Sequence, residues 1–315
     1  MSTASQARST LIIGTRGSQL ALWQAEWVQR QLKQIAPDLS IVLTRIQTSG
    51  DKILDVPLAK VGGKGLFVKE IEEALLRKDI DLAVHSMKDM PAVLPRGLQI
   101  ICVPEREDPR DALIARDGKK LDALPMNGRV GTSSLRRQAQ LLHARPDLQI
   151  EMLRGNVDTR LRKLQENHFD AVVLAASGLK RLGLSEHITE LLSVDVSLPA
   201  IGQGALGIEG REDDSLVRNL VSRFEHRPTR VMVTAERALL TRLEGGCQVP
   251  IAGHAVFHGE ELTLDGLVVS VDGKRYVRYS LSGPAQEAES LGTKVAEELL
   301  DRGGHQILQE IYGAV

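Results

Sequence analysis

The chain has 315 residues and is 42% hydrophobic, enough for two or three domains that each bury a core. Basic and acidic residues nearly balance, 40 against 41, and only 3% are aromatic, so neither a general nucleic-acid or membrane surface nor a row of base-stacking platforms is indicated. No apolar run approaches the roughly 18 residues that span a bilayer, the polar start MSTASQARST lacks the apolar segment of a signal peptide, and Cys102 and Cys247 are too far apart for a disulfide framework or a zinc site, so a soluble, cytoplasmic, metal-free protein is expected.

TLIIGT (10–15) predicts a strand that stops at Gly14-Thr15-Arg16-Gly17-Ser18, with a helix from about Gln19 to Ile35. Ile41 to Ile46 is the next strand. Gln47 to Gly65 contains Gly50, Pro57, Gly62, Gly63 and Gly65 and reads as a long mobile loop. Leu66 to Arg77 reads as a helix and Asp81 to His85 as a strand. The alternation predicts βαβ units and a mostly parallel sheet.

PEREDPRD (104–111) marks a crossover between domains. RVGT (129–132) and the helical SSLRRQAQLLHAR then repeat the opening pattern. LQIEMLR (148–154), a helix from about Val157 to Glu166, and DAVVLAA (170–176) continue it. LPAIGQGALGIEG (198–210) is glycine-rich and reads as a second crossover. The last third differs. Arg230 to Leu243 is helical, and Val249–Phe257, Glu261–Val271 and Arg275–Leu281 read as an antiparallel meander turning at Gly259 and Asp272-Gly273. Ala285 to Leu300 closes with a helix. The expected fold is therefore α/β. Two similar domains of the periplasmic-binding-protein type flank a cleft, one from residues 1–104 and 200–225, the other from 105–199. A small α+β domain with a three-stranded antiparallel sheet follows at 226–315.

Basic residues concentrate in the second domain. Arg129 to Arg181 holds ten Arg and Lys against five Asp and Glu, although the whole chain is at −1. Arg136 and Arg137 open a helix, Arg154 ends a strand, Arg160, Arg162 and Lys163 lie in the next helix, and Arg181 follows a third strand. Strand C-terminal ends line the ligand crevice of such domains, helix starts favour anions, and Arg suits bidentate recognition of carboxylates. Solvated helical arginines are the equal alternative, less apt for Arg154 in LRGN. Thr132, Ser133 and Ser134 are helix-start hydroxyls that can cap the helix, hold a carboxylate, or both. Arg16 and Ser18 are their counterparts in the first domain. HSMKDMP (85–91) sets a Lys-Asp pair at a strand end, suited to proton transfer and cation stabilisation or to a simple loop ion pair. Cys102 in QIICVP reads as a small buried cysteine. Cys247, in LEGGCQVP, sits in a glycine turn and is either an ordinary turn residue or a reactive thiol.

TRGSQLALWQA (15–25), GGKGLFVKEIE (62–72), HSMKDMP, GTSSLRRQAQL (131–141), LRGNVDTRL (153–161), ASGLKRLG (176–183), PAIGQGALGIE (199–209) and LEGGCQVP (243–250) together resemble the porphobilinogen deaminases, also called hydroxymethylbilane synthases. The resemblance runs in order from about residue 10 to the C-terminus. It implies a transferase of tetrapyrrole biosynthesis, monomeric, that joins four porphobilinogen molecules head to tail with loss of ammonia. It also implies a covalent dipyrromethane primer on the thioether of Cys247, extended to a hexapyrrole and then hydrolysed to free hydroxymethylbilane. Asp89 matches the catalytic carboxylate. Arg16, Ser18, Ser86, Lys88, Thr132, Ser133, Ser134, Arg136, Arg137, Arg154, Arg160 and Arg181 match groups that bind the carboxylates of substrate and primer. Lys64, Phe67 and Gln203 match lid or pyrrole contacts, with a core role the equal alternative for Phe67. Two other classes stay open on the residues alone: a non-catalytic anion-binding protein using the same cleft, which leaves Cys247 and the third domain without a purpose, and nucleic-acid binding through the basic segment.

Overall fold

Ser18 shows how the local sequence sets the architecture. Its Oγ accepts a hydrogen bond from the Ala21 amide at 3.3 Å and so caps the Gln19–Ile35 helix. Ala21, Ala25, Val28 and Leu32 then recur at helical spacing and bury one face of that helix. The computed structural model describes residues 9–52, 65–243 and 249–313. Its strands are β1 (Thr10–Thr15), β2 (Ser40–Arg45), β3 (Leu82–Ser86), β4 (Leu98–Cys102), β5 (Asp111–Ala115), β6 (Arg129–Gly131), β7 (Gln149–Glu151), β8 (Ala171–Ala175), β9 (Glu190–Leu191), β10 (Leu206–Arg211), β11 (Ile251–His258), β12 (Glu261–Val269) and β13 (Tyr276–Pro284).

Two sheets share one plan. The first runs β2-β1-β3-β10-β4 and the second β7-β6-β8-β5-β9. In each, the first three strands are parallel and the fourth is antiparallel to both neighbours. The sheets are therefore mixed, where the sequence predicts mostly parallel pairing. The physical reason is the crossover. β10 returns from the second half of the chain to fill the first sheet, and β5 enters the second sheet before β6. Both strands are buried along their whole length, so they show no alternation of apolar and polar residues. That is why β10 hides inside the stretch expected to be only a crossover.

Leu11, Ile13, Leu82, Val84 and Ile208 pack one face of the first sheet against the Gln19–Ile35 helix, and Ile71, Leu75 and Ile80 cover the other. Ala112, Ile114, Val172 and Leu174 form one face of the second core, and Leu113, Val130 and Val173 the other. The third sheet is the expected meander, β11-β12-β13, covered by helices Arg227–Arg242 and Ala288–Leu299. Gly259 and Gly273 take positive φ, 65° and 74°, at its two turns. Beyond the closing helix the chain kinks at Gly303 and adds a helix, His305–Gly313, that the sequence pattern does not announce. The expected 47–65 loop begins with a helical turn, Ser49–Lys52, and its residues 53–64 lie outside the described residues.

A buried ion pair fastens the third unit to the crossovers. Arg106 donates Nη1 to Glu236 Oε1 at 2.6 Å and Nη2 to Oε2 at 3.2 Å. The same carboxylate accepts the amides of Gly202 at 2.7 Å and Ala255 at 2.9 Å. Burial alone would raise the Glu236 carboxyl, but Arg106 and His254 hold it at about 2. Among the described residues no helix is long and apolar enough to cross a membrane.

Candidate active site

The residues singled out from sequence follow the C-terminal ends of strands in both sheets. After β1, Arg16 forks onto Asp51, with Nε at 3.1 Å from Oδ1 and Nη2 on the same oxygen. Its guanidinium carbon lies 4.3 Å from the centroid of the Phe67 ring. At the end of β3, Ser86 Oγ accepts from Gln24 Nε2 at 3.0 Å. Asp89 follows in a single helical turn, Met87–Asp89, and lines one pocket with Arg16, Ser18, Gln24, Phe67 and Ser86. Lys88 is half-buried. Burial pushes its ammonium down to about 8, with Asp89 opposing the shift and Arg137 adding to it.

The second sheet supplies the cations. Thr132 Oγ1 accepts from the Ser134 amide at 3.2 Å, Ser134 Oγ accepts from the Arg137 amide at 3.4 Å, and the exposed Ser133 lies between them. Ser134 thereby caps the Leu135–Ala144 helix as Ser18 caps its counterpart. Arg136 and Arg137 are only 4% and 6% exposed, and both reach Asp111, which is fully buried. Arg136 Nη1 lies 2.8 Å from Oδ2, and Arg137 Nη2 lies 2.8 Å from Oδ1. Burial would raise the Asp111 carboxyl, but the two arginines overrule it and hold it far below the usual carboxylate range.

Arg160 donates Nε to the Gly155 carbonyl at 2.8 Å, and burial followed by repulsion from Arg137 and Arg154 lowers it to about 10. Arg181 donates Nη2 to Gly204 O at 2.7 Å and stands 5.9 Å from the Trp23 ring of the first half. Burial brings it to about 10, with Glu107 acting in the opposite direction. Gln203 shares Asp111 with the two arginines. It is 1% exposed and donates Nε2 to Pro109 O at 2.6 Å and to Asp111 Oδ1 at 2.9 Å. Cys247 and Lys64 lie outside the described residues. Cys102 is a free, buried thiol whose titration is pushed far up, chiefly by burial.

The structure thus brings Arg16, Ser18, Phe67, Ser86 and Asp89 around one pocket, and it gathers Arg136, Arg137, Arg154 and Arg160 into one like-charged group within electrostatic reach of Lys88. Sequence reasoning missed Asp111, Gln24 and Asp51. Asp111 had a visible signal: an acid that ends the crossover and opens the strand β5, in a half otherwise rich in arginine. Gln24 and Asp51 had none, because their partners are 62 and 35 residues away. Among the described residues no cluster of His, Cys, Asp and Glu could hold a metal ion.

Comparison with known proteins matches residues 11–219 to the family model of the porphobilinogen deaminase dipyromethane cofactor binding domain, and residues 231–301 to that of the porphobilinogen deaminase C-terminal domain. The chain belongs to the porphobilinogen deaminase family. It is 62% identical to the porphobilinogen deaminase of Syntrophotalea carbinolica, over 95% of either chain. It is 60% identical to that of Geobacter sulfurreducens, covering 97% of this chain and 96% of the relative. The Pelobacter propionicus enzyme is 59% identical, with 96% and 97% covered. Among solved structures, a nutrient binding protein from Burkholderia cenocepacia bound to methionine is similar at a TM-score of 0.44 and 16% identity, over 70% of this chain and 93% of that one. As a porphobilinogen deaminase family member the chain is an enzyme acting on porphobilinogen and carrying a dipyrromethane cofactor.

Proposed function

We propose that this chain is a cytoplasmic, monomeric transferase that adds porphobilinogen units one at a time to a dipyrromethane held through a thioether to Cys247. Four additions, each with loss of ammonia, and a final hydrolysis give hydroxymethylbilane. The observation that carries the reading is the like-charged group itself. Arg137 and Arg154 repel the Arg160 guanidinium, whose charge burial already disfavours. An anionic ligand beside Arg160 would offset that repulsion.

A dipyrromethane fits that donor set, because each of its rings carries an acetate and a propionate. Arg136, Arg137, Arg154, Arg160 and Lys88 would hold those carboxylates, with the Thr132–Ser134 turn offering hydroxyls and amides at a helix start. When bound, the cofactor supplies a free pyrrole α-carbon as nucleophile. Arg16, Ser18 and Ser86 would take the incoming ring's acids, with Phe67 beside it and Lys64 and Gln203 as further contacts. Asp89 lines the same pocket and would accept a pyrrole N–H there. Loss of ammonia from porphobilinogen leaves a cationic azafulvene, which a fixed carboxylate stabilises by a few kcal/mol relative to water, roughly as preorganised groups do elsewhere. The α-carbon proton lost on coupling balances the ammonia released as ammonium.

Ammonia release from porphobilinogen tests this reading. Wild-type protein should release ammonia in step with bilane formation, and Asp89→Ala should lose turnover by about a hundred-fold or more while keeping its cofactor. Near-normal turnover by Asp89→Ala would remove Asp89 from the chemistry. Binding of porphobilinogen by wild type without ammonia release would identify a binding protein instead.

A further inference from the structure

Asp51 occupies one edge of the Arg16 guanidinium. It takes the Nε/Nη2 edge of the guanidinium side-on, with Nε 3.1 Å from Oδ1 and 3.4 Å from Oδ2. The carboxylate is itself fixed, because Oδ2 accepts the Thr48 hydroxyl at 2.8 Å and the Thr48 amide at 3.2 Å. Phe67 stacks on the guanidinium at 4.3 Å. Among the described residues one edge and one face of Arg16 are thus used, and the Nη1 end is the remaining approach for a substrate acid. The pair is 22% and 24% exposed. An ion pair reached by water is weak and exchangeable, unlike the Arg136–Asp111–Arg137 group.

We propose that Asp51 is an internal counter-ion of Arg16 that sets its pose and weakens its grip on a pyrrole carboxylate, so that each added ring can be released as the chain grows. This rests on the reading of Arg16 as a substrate clamp. A clamp of full strength would hold the first ring in place and oppose the next addition. A clamp whose charge is partly met by a resident carboxylate holds an incoming acid at its other end less tightly. Asp51 is a positioning residue, since it acts through Arg16.

The two halves of the role predict opposite signs. Asp51→Asn keeps an acceptor for the fork and removes the competing charge, so the KM for porphobilinogen should fall about three- to ten-fold, with kcat not rising. Asp51→Ala removes the pose as well, so its KM should rise by about the same factor. Both variants should melt with wild type, because the pair is partly exposed. A KM unchanged or raised in Asp51→Asn overturns the weakening role, and a KM lowered equally in both variants overturns the positioning role. Wild-type protein that releases no ammonia from porphobilinogen overturns the underlying function, and that result is separate from either. Wild-type activity with an unaltered KM in Arg16→Leu shows that Arg16 is no clamp, which overturns the proposal too.

Discussion

Asp111→Asn should damage the protein far more than the loss of one surface charge would. The wild-type carboxylate is saturated with donors. Oδ1 takes Arg137 Nε at 3.0 Å, Arg137 Nη2 at 2.8 Å and Gln203 Nε2 at 2.9 Å, and Oδ2 takes Arg136 at 2.8 Å and Ser197 Oγ at 2.7 Å. An asparagine must turn an NH2 group toward one of these sets, so donors face donors. It also leaves two nearly inaccessible guanidinium groups without their shared counter-charge. Breaking one side of a buried pair costs about 3–5 kcal/mol. For a unit of this size each kcal/mol moves the melting temperature by roughly 2–4 °C, so a fall on the order of 6–20 °C is expected. Calorimetry of wild type and variant at one pH reads it. Glu151→Gln is the control, because the Arg129–Glu151 pair is 45% and 40% exposed and should be worth less than about 1 kcal/mol. An Asp111→Asn variant melting within about 2 °C of wild type would refute the argument that Asp111 neutralises the two arginines.

Glu72 sits near the buried His85–Glu209 pair, whose Nε2–Oε2 distance is 3.0 Å. Burial and Glu209 raise its carboxyl from 4.5 to about 7, with His85 opposing. The folded protein holds this proton more tightly than the unfolded chain does, so the contribution of Glu72 to stability is full below about pH 4.5, falls as pH rises and levels off above about 7. The loss is on the order of 2–3 kcal/mol, and Glu72→Gln should flatten it; an unchanged pH profile in urea denaturation would sink the idea. Lys88 loses its proton as pH passes about 8, so the KM for porphobilinogen should rise above that pH. Lys88→Arg should carry the rise to higher pH, and a wild-type KM flat up to pH 10 would argue against a charged Lys88 in binding.

Much of this architecture can be read from local chemistry. The strand-Gly-Thr-helix openings at TLIIGT and RVGT become β1 and β6, the equivalent second strands of two sheets with one order. The three-strand meander and its glycine turns also follow from residues near one another. What local reading misses is what distance creates. β5 and β10 are buried along their whole length, and β10 arrives from the far side of the second sheet's residues, so periodicity does not announce them. The site divides in the same way. Motifs locate Arg16, Asp89 and the arginines, but not which cations are already partnered. Arg136 and Arg137 share Asp111, Arg16 has Asp51, and Gln203 supports the crossover from within. Those pairings join residues 26, 35 and 92 positions apart, beyond the reach of any local pattern.

The intact mass of the purified protein, before and after porphobilinogen is added, tests the central claim most directly. The account predicts a mass above that of the sequence by one dipyrromethane, an excess abolished in Cys247→Ser, and a ladder of heavier species once substrate is supplied. A fully active protein whose mass equals that of its bare sequence would contradict it.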